Sequence, residues 1–332
     1  MTTKKILLKA QKAKKDEYYT LWEDIASEVS LYKSQLKGKK ILCPCDWDES
    51  FKEQLIYKEE GFVASSNLFD PGDTIKEINI KSSRKKIEKK TSTIKCNFIK
   101  YLVTNADAYG IKTISASGYD PSTGKGIKFQ DIDYSKYDLI ITNPPFSEFR
   151  EFIATMFENK KKFLVIGPLL ALSYKEIFNK VKENKMWLGY AKQLSGFRLD
   201  DGTELLSKNP EGSVPRACKW YTNLDVRYRN DKITLTESVK DKKYEKYYNY
   251  KAINITKTLE IPYDYKGEMG VPISFISKYN PKQFKIIGKG TVVKKTKTWK
   301  GDKASLWTEK NGKPHKIPFE RILIQNRKVN ES

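Results

Sequence analysis

Four consecutive residues, Asn143-Pro144-Pro145-Phe146, carry the clearest chemistry in the chain. Two adjacent prolines remove two backbone donors and stiffen the turn, which fixes where its carbonyls and side chains point. The Asn143 amide oxygen and the Pro144 carbonyl can then both accept from one exocyclic NH2 group. Phe146 offers a flat face on which a planar base, taken out of its stack, can lie. Such a site suits methylation of an aromatic amine, whose lone pair is delocalised into its ring. Two acceptors pulling on the two N–H bonds favour a pyramidal nitrogen and turn its lone pair toward an incoming sulfonium methyl. Transfer then needs mainly positioning and desolvation. No general base is conspicuous near the turn.

The turn follows Asp138-Leu139-Ile140-Ile141-Thr142, a short apolar run that reads as a buried strand. Ligands of open α/β sheets bind beyond the carboxyl ends of the strands, so this turn belongs in that crevice. A methyl donor must share it. Asp46 closes the first apolar run, Ile41-Leu42-Cys43-Pro44-Cys45, and is placed to touch the methionine or ribose end of a donor, with Asp48 as the alternative. Asp70, after a second strand, could accept from ribose hydroxyls, and Asp131 or Asp133 could meet an adenine amino group. No Gly-x-Gly loop follows the first strand, which argues against Walker-type phosphate binding and a dinucleotide cofactor. Pro44-Cys45 raises cytosine-C5 methylation as a rival, since that reaction uses a cysteine after a proline. The pair lies inside the first strand, however, and that chemistry would leave the Asn-Pro-Pro-Phe turn unexplained.

The positioning elements follow from periodicity. A helix is expected over 14–37, capped by Asp16 or Thr20, with Leu21, Trp22, Ile25, Val29 and Tyr32 recurring on one face. Then come a strand over 41–46, a helix from Glu49 to Glu60, a strand over 62–66 and a lysine-rich surface excursion over 71–100. Residues 118–126 are rich in turn formers. Beyond the 138–142 strand, helices are expected over 147–159 and 174–183, and strands over 163–166 and 186–190. Strands alternating with helices predict a doubly wound α/β sheet with right-handed crossovers. The alternation weakens near residue 230, where lysine, tyrosine and asparagine rise, so the expected division is 1–230 and 231–332.

With 39% hydrophobic residues in 332, the chain is long and apolar enough to bury a core. No run nears the roughly 18 apolar residues of a membrane span, and no signal peptide is evident; a cytoplasmic protein is expected. Four cysteines and a single histidine predict neither a disulfide framework nor a metal site. Lys plus Arg number 63 against 41 Asp plus Glu, a formal net charge of +22. A field of that sign attracts polyanions, although a lysine-rich composition alone would produce the same number.

Several blocks together resemble the EcoRI-type adenine-specific DNA methyltransferase family. They are Lys15 to Thr20, Cys43-Pro44-Cys45-Asp46, Asp138 through Phe152, Tyr174 to Phe178, Trp187-Leu188-Gly189 and Trp220 to Asp225. Ile261 to Tyr265, Gly270 to Ile273 and Tyr279-Asn280-Pro281 extend the likeness nearly to the end of the chain. The resemblance implies a Rossmann-like S-adenosylmethionine-binding sheet with a C-terminal target-recognition region. It also implies that Tyr19 and Thr20 pack against the methionine end of the donor; Cys45, beside Asp46, is a further candidate donor contact. Trp220 and Tyr221 become candidates to close over a flipped base, and Arg198 and Arg216 candidates to grip DNA.

The function expected is methylation of adenine N6 in duplex DNA, with the base flipped into the crevice. Restriction-modification or DNA protection is the expected setting, and one chain is expected to suffice. Two alternatives stand beside it. RNA and protein-glutamine methyltransferases also place planar NH2 groups in Asn-Pro-Pro-aromatic turns, and an inactive DNA-binding module would keep the charge without the chemistry.

Overall fold

The computed structural model describes residues 19–46, 54–58, 61–62, 96–120, 124–199, 202–209, 213–290, 306–310, 313–317 and 320–327. They form two compact units, one of residues 1–179 with 186–225, the other of 180–185 with 226–332. In chain order the elements are β1 (Tyr19–Thr20), α1 (Trp22–Val29), β2 (Lys40–Cys43), β3 (Gln54–Lys58), β4 (Gly61–Phe62), α2 (Asn97–Tyr109), β5 (Thr113–Ala116), β6 (Tyr119–Asp120) and β7 (Lys125–Gly126). There follow β8 (Leu139–Thr142), α3 (Phe149–Glu158), β9 (Lys162–Pro168), α4 (Lys175–Lys182), β10 (Trp187–Leu188), β11 (Gly196–Arg198), β12 (Glu204–Leu206) and β13 (Cys218–Thr222).

The first unit is built on an eight-stranded mixed sheet in the order β10-β13-β9-β8-β2-β5-β3-β4. Its centre, β9-β8-β2-β5, is parallel, and β13 and β3 pair antiparallel to β9 and β5. Central parallel strands are covered on both faces, which is why Ile41-Leu42 and Leu139-Ile140-Ile141 read as unbroken apolar runs and are all buried. The chain reaches β5 on one side of β2 and β8 on the other, so the gap between β2 and β8 is a topological switch point. Amphipathic helices close the layer: α1 buries Ile25 and Val29, α2 buries Phe98, Ile99, Leu102 and Ala106, and α3 buries Phe149, Phe152 and Met156. A smaller sheet, β1-β11-β12, holds Tyr19 opposite Arg198 and Thr20 opposite Phe197.

Four expectations change. The helix expected over 49–60 is the strand β3 where it is described, because Leu55, Ile56 and Tyr57 are strand formers and Leu55 and Tyr57 pair antiparallel with β5, with the register shifting between them. Thr20 lies in a strand rather than at a helix cap, and α1 starts after Leu21 with no side-chain cap. The long helix expected over 14–37 is interrupted by a 3-10 turn at Ser30–Tyr32. The excursion over 71–100 ends earlier than expected, since α2 begins at Asn97. Of the strand expected over 62–66, only Phe62 is described, on the edge strand β4.

The second unit carries the sheet β14-β15-β19-β16, made of β14 (Ala252–Asn254), β15 (Glu268–Pro272), β16 (Phe284–Lys289) and β19 (Arg321–Asn326). A separate ribbon pairs β17 (Trp307–Lys310) with β18 (Lys313–Lys316). Tyr247, Ala252, Leu306 and Leu323 pack together as one hydrophobic cluster of the second unit. No helix among the described residues is long and apolar enough to cross a membrane.

Candidate active site

At the end of β8, Thr142 is buried and its hydroxyl accepts the Cys45 backbone N–H at 3.2 Å. That bond bridges the chain leaving β2 to the chain leaving β8, across the switch point. The Asn143 backbone N–H donates to Asp46 Oδ1 at 3.4 Å. Pro144 is buried, and the Pro145 carbonyl accepts from Glu148 N–H at 3.1 Å, closing a 3-10 turn over Phe146–Glu148 that leads into α3. The Phe146 ring is half-buried, with Phe197 of β11 packed edge-on at a centroid distance of 6.1 Å.

Across the switch point, Asp46 is buried, and its Oδ2 is sealed from solvent without a well-formed hydrogen bond among the described residues. Burial pushes its carboxyl up to about 7, against the smaller opposing pull of the Thr142 hydroxyl, the Asn143 N–H and the Cys96 thiol. Cys96, buried, and Cys45, half-buried, flank it as thiols that desolvation and the Asp46 charge keep protonated. Thr20 Oγ1 is a second buried oxygen without a hydrogen-bond partner among the described residues. The Thr20 carbonyl is held by Asn97 Nδ2 at 2.9 Å, and Asn97 opens α2 next to Cys96. A buried polar oxygen left unpaired costs about 1–3 kcal/mol, so Thr20 Oγ1, together with an Asp46 carboxylate that only the Thr142 hydroxyl, the Asn143 N–H and the Cys96 thiol offset, suits a ligand that brings donors. S-adenosylmethionine carries an ammonium, two ribose hydroxyls and an adenine amino group, and the residues present fit it.

The geometry brings Thr20, Cys45, Asp46, Asn143 and Phe146 around the switch point. Tyr19 lies beside Thr20 on β1. Asp131 is exposed at the end of the 3-10 turn Phe129–Asp131, whose Gln130 donates to Glu148 at 3.3 Å just past the Asn143–Phe146 turn. Asp133 caps the next turn through Ser135. Asp48 and Asp70 lie outside the described residues. Arg198 and Arg216 are exposed, Arg216 donating to the Asn209 carbonyl at 3.2 Å.

Trp220 and Tyr221 require a correction. Both sit on β13, between β10 and β9, and have no accessible surface. Phe98 packs against the Trp220 ring, while Tyr221 donates to the Pro168 carbonyl at 2.9 Å and packs on Phe149. An aromatic so enclosed cannot touch DNA without leaving the core, and both are core residues. Asn97, Cys96 and Phe197 were not singled out from the sequence. They belong to no motif and reach the site only through α2 and β11. Among the described residues no group of three or more histidine, cysteine, aspartate or glutamate side chains is placed to hold a metal.

The family model "Adenine-specific methyltransferase EcoRI" matches residues 6–57 and 128–327. The Type II methyltransferase M.EcoRI of Escherichia coli is 32% identical over 98% of both chains. The Type II methyltransferases M.MpnI of Mycoplasma pneumoniae and M.MgeORF184P of Mycoplasma genitalium are 29% and 30% identical, each over 84% of both chains. No solved structure matches.

Proposed function

This chain belongs to the adenine-specific methyltransferase EcoRI family and is an enzyme of that class, and from that premise we propose that it methylates adenine N6 within a specific sequence of duplex DNA. The observation that carries the reading is the Asn143 turn, tied through its backbone to a buried carboxylate at the switch point. S-adenosylmethionine, when bound, supplies an electrophilic methyl group on a sulfonium sulfur. The protein's own part is to hold and orient. Asn143 Oδ1 and the Pro144 carbonyl accept the two N6 hydrogens, and Phe146 stacks on the flipped base. Asp46 Oδ2 and Thr20 Oγ1 take donors from the methionine or ribose end, with Tyr19 and Cys45 beside them. Asp131 serves the adenine end of the methyl donor.

The eight-stranded sheet is then a Rossmann-like donor-binding sheet, and residues 1–230 hold donor and chemistry. Residues 231–332 form the target-recognition region. Arg198 and Arg216, both exposed, contact the DNA backbone. The setting is a restriction-modification or DNA-protection system in the cytoplasm, and a single chain carries out the reaction. Incubation with labelled S-adenosylmethionine and mixed-sequence duplex DNA should produce N6-methyladenine. Folded protein that binds the donor yet leaves the DNA unmethylated, or that prefers RNA or peptide in competition, would overturn the proposal.

A further inference from the structure

Helix α1 carries two buried acids four residues apart, Asp24 and Glu28, on the face it turns inward. Buried carboxylates are rare unless their lone pairs are used. Among the described residues the bonds they accept come from Tyr32, in the 3-10 turn after the helix, and from one stretch of backbone. Both Asp24 oxygens lie 2.8 Å from the Ser195 N–H, and Oδ2 also accepts from the Gly196 N–H at 3.1 Å. Glu28 accepts the Tyr190 and Ala191 N–H groups at 2.8 and 2.6 Å, and the Tyr32 hydroxyl at 2.7 Å. The connection from β10 to β11 is thus clamped at both ends by one helix.

Nothing in donor binding or in the acceptor pair at Asn143 uses this clamp. Its output is geometric. Gly196 is wedged so tightly that a Cβ there would lie 2.8 Å from Leu21 Cδ1 and Leu206 Cδ2 and 2.9 Å from the Leu205 carbonyl, so the backbone has no room to drift. The next residue is Phe197, fully buried, whose ring meets Phe146 edge-on at 73° between planes. A positive ring edge against a neighbouring π face defines the orientation of both rings.

We infer that Asp24 is a positioning residue for the target base: it fixes the Ser195–Gly196 backbone, which sets Phe197 edge-on to Phe146 and so holds the Phe146 face ready for stacking. The inference rests on the active-site reading above, in which Phe146 stacks on the flipped adenine. Glu28 anchors the far end of the same connection and governs its stability rather than the orientation of Phe197.

The test uses the full chain and duplex DNA carrying the recognition sequence, mapped first by methylation-sensitive sequencing of host DNA. Asp24→Asn replaces one acceptor by an amide that opposes the Ser195 N–H. It should lower kcat on that duplex about tenfold or more while the calorimetric Kd for S-adenosylmethionine stays within about threefold. Phe197→Leu should produce a similar split. Because both act through one ring contact, the double variant should lose about as much as the worse single variant rather than the product of the two. Additive losses, an unchanged kcat, or a donor Kd that weakens in step with kcat would each overturn the inference. If Asp24→Asn does not fold, Phe197→Leu decides alone, since an unchanged kcat there removes the proposed route. Wild-type protein that leaves the DNA unmethylated refutes the functional reading instead, so the two failures are distinguishable.

Discussion

Replacing Asp46 by asparagine separates what this carboxylate costs the fold from what it contributes to the site. Its carboxyl is pushed up to about 7 in the folded protein from an ordinary value of 3.8, chiefly by burial. An acid whose folded pKa is raised stabilises the fold fully only below its unfolded value, and that contribution is lost as pH rises through the folded value. The window here runs from about pH 4 to about pH 7, and at 1.36 kcal/mol per unit the total is about 4 kcal/mol. Roughly 3 kcal/mol of it falls between pH 5 and pH 8. Asparagine keeps an acceptor for the Asn143 N–H and carries no charge, so its stability should be flat across the window. Urea denaturation of both proteins at pH 5 and pH 8 measures the difference. The variant should gain on the wild type by roughly 3 kcal/mol over that interval.

The donor should report the opposite sign. If Oδ2 receives an ammonium or ribose hydroxyls, wild-type affinity for S-adenosylmethionine should climb toward pH 7, by up to about tenfold per unit below it. The asparagine variant should bind weakly at every pH. A stability difference that stays constant within about 1 kcal/mol between the two pH values would refute the desolvation argument. A variant that binds the donor as tightly as wild type would refute the role of Oδ2.

Asn143→Ala should abolish methyl transfer while DNA affinity, read by a gel or anisotropy titration, stays within about threefold, because most affinity comes from phosphate contacts elsewhere. Thr20→Val removes a buried hydroxyl oxygen that has no partner among the described residues; it should raise stability by about 0–1 kcal/mol while raising the KM for the donor. Trp220→Ala should cost about 3–5 kcal/mol of unfolding free energy by opening a cavity in the sheet core, with the salt dependence of DNA binding unchanged. Glu28→Ala strands three hydrogen-bond donors and should lower the unfolding free energy by about 3 kcal/mol or more in a denaturant titration.

The sequence alone marked the Asn143–Phe146 turn as the candidate site and showed the strand that delivers it. Asn143 to Phe146 and the apolar run before them are local, and their meaning survives without knowing what lies opposite. The same holds for Asp46, because a strand end is visible as the end of an apolar run. The tertiary structure decided which neighbours complete the site. Leu55 to Tyr57 suited either a helix or a strand until β5 offered a ladder to pair with. Trp220 and Tyr221, attractive as base contacts by residue type, are enclosed because β13 inserts beside β9 within the sheet. Asn97 and Phe197 lie 77 and 177 residues from Thr20, and Asn97 bonds to its carbonyl while Phe197 pairs with it in register. Asp24 looks from its sequence like an exposed acid in the first turn of a helix. It is buried because the amides it accepts belong to residues 195 and 196, about 170 positions further along. Spacing along the chain carries no record of such partners, since they meet only when hydrophobic burial has closed the layers around them.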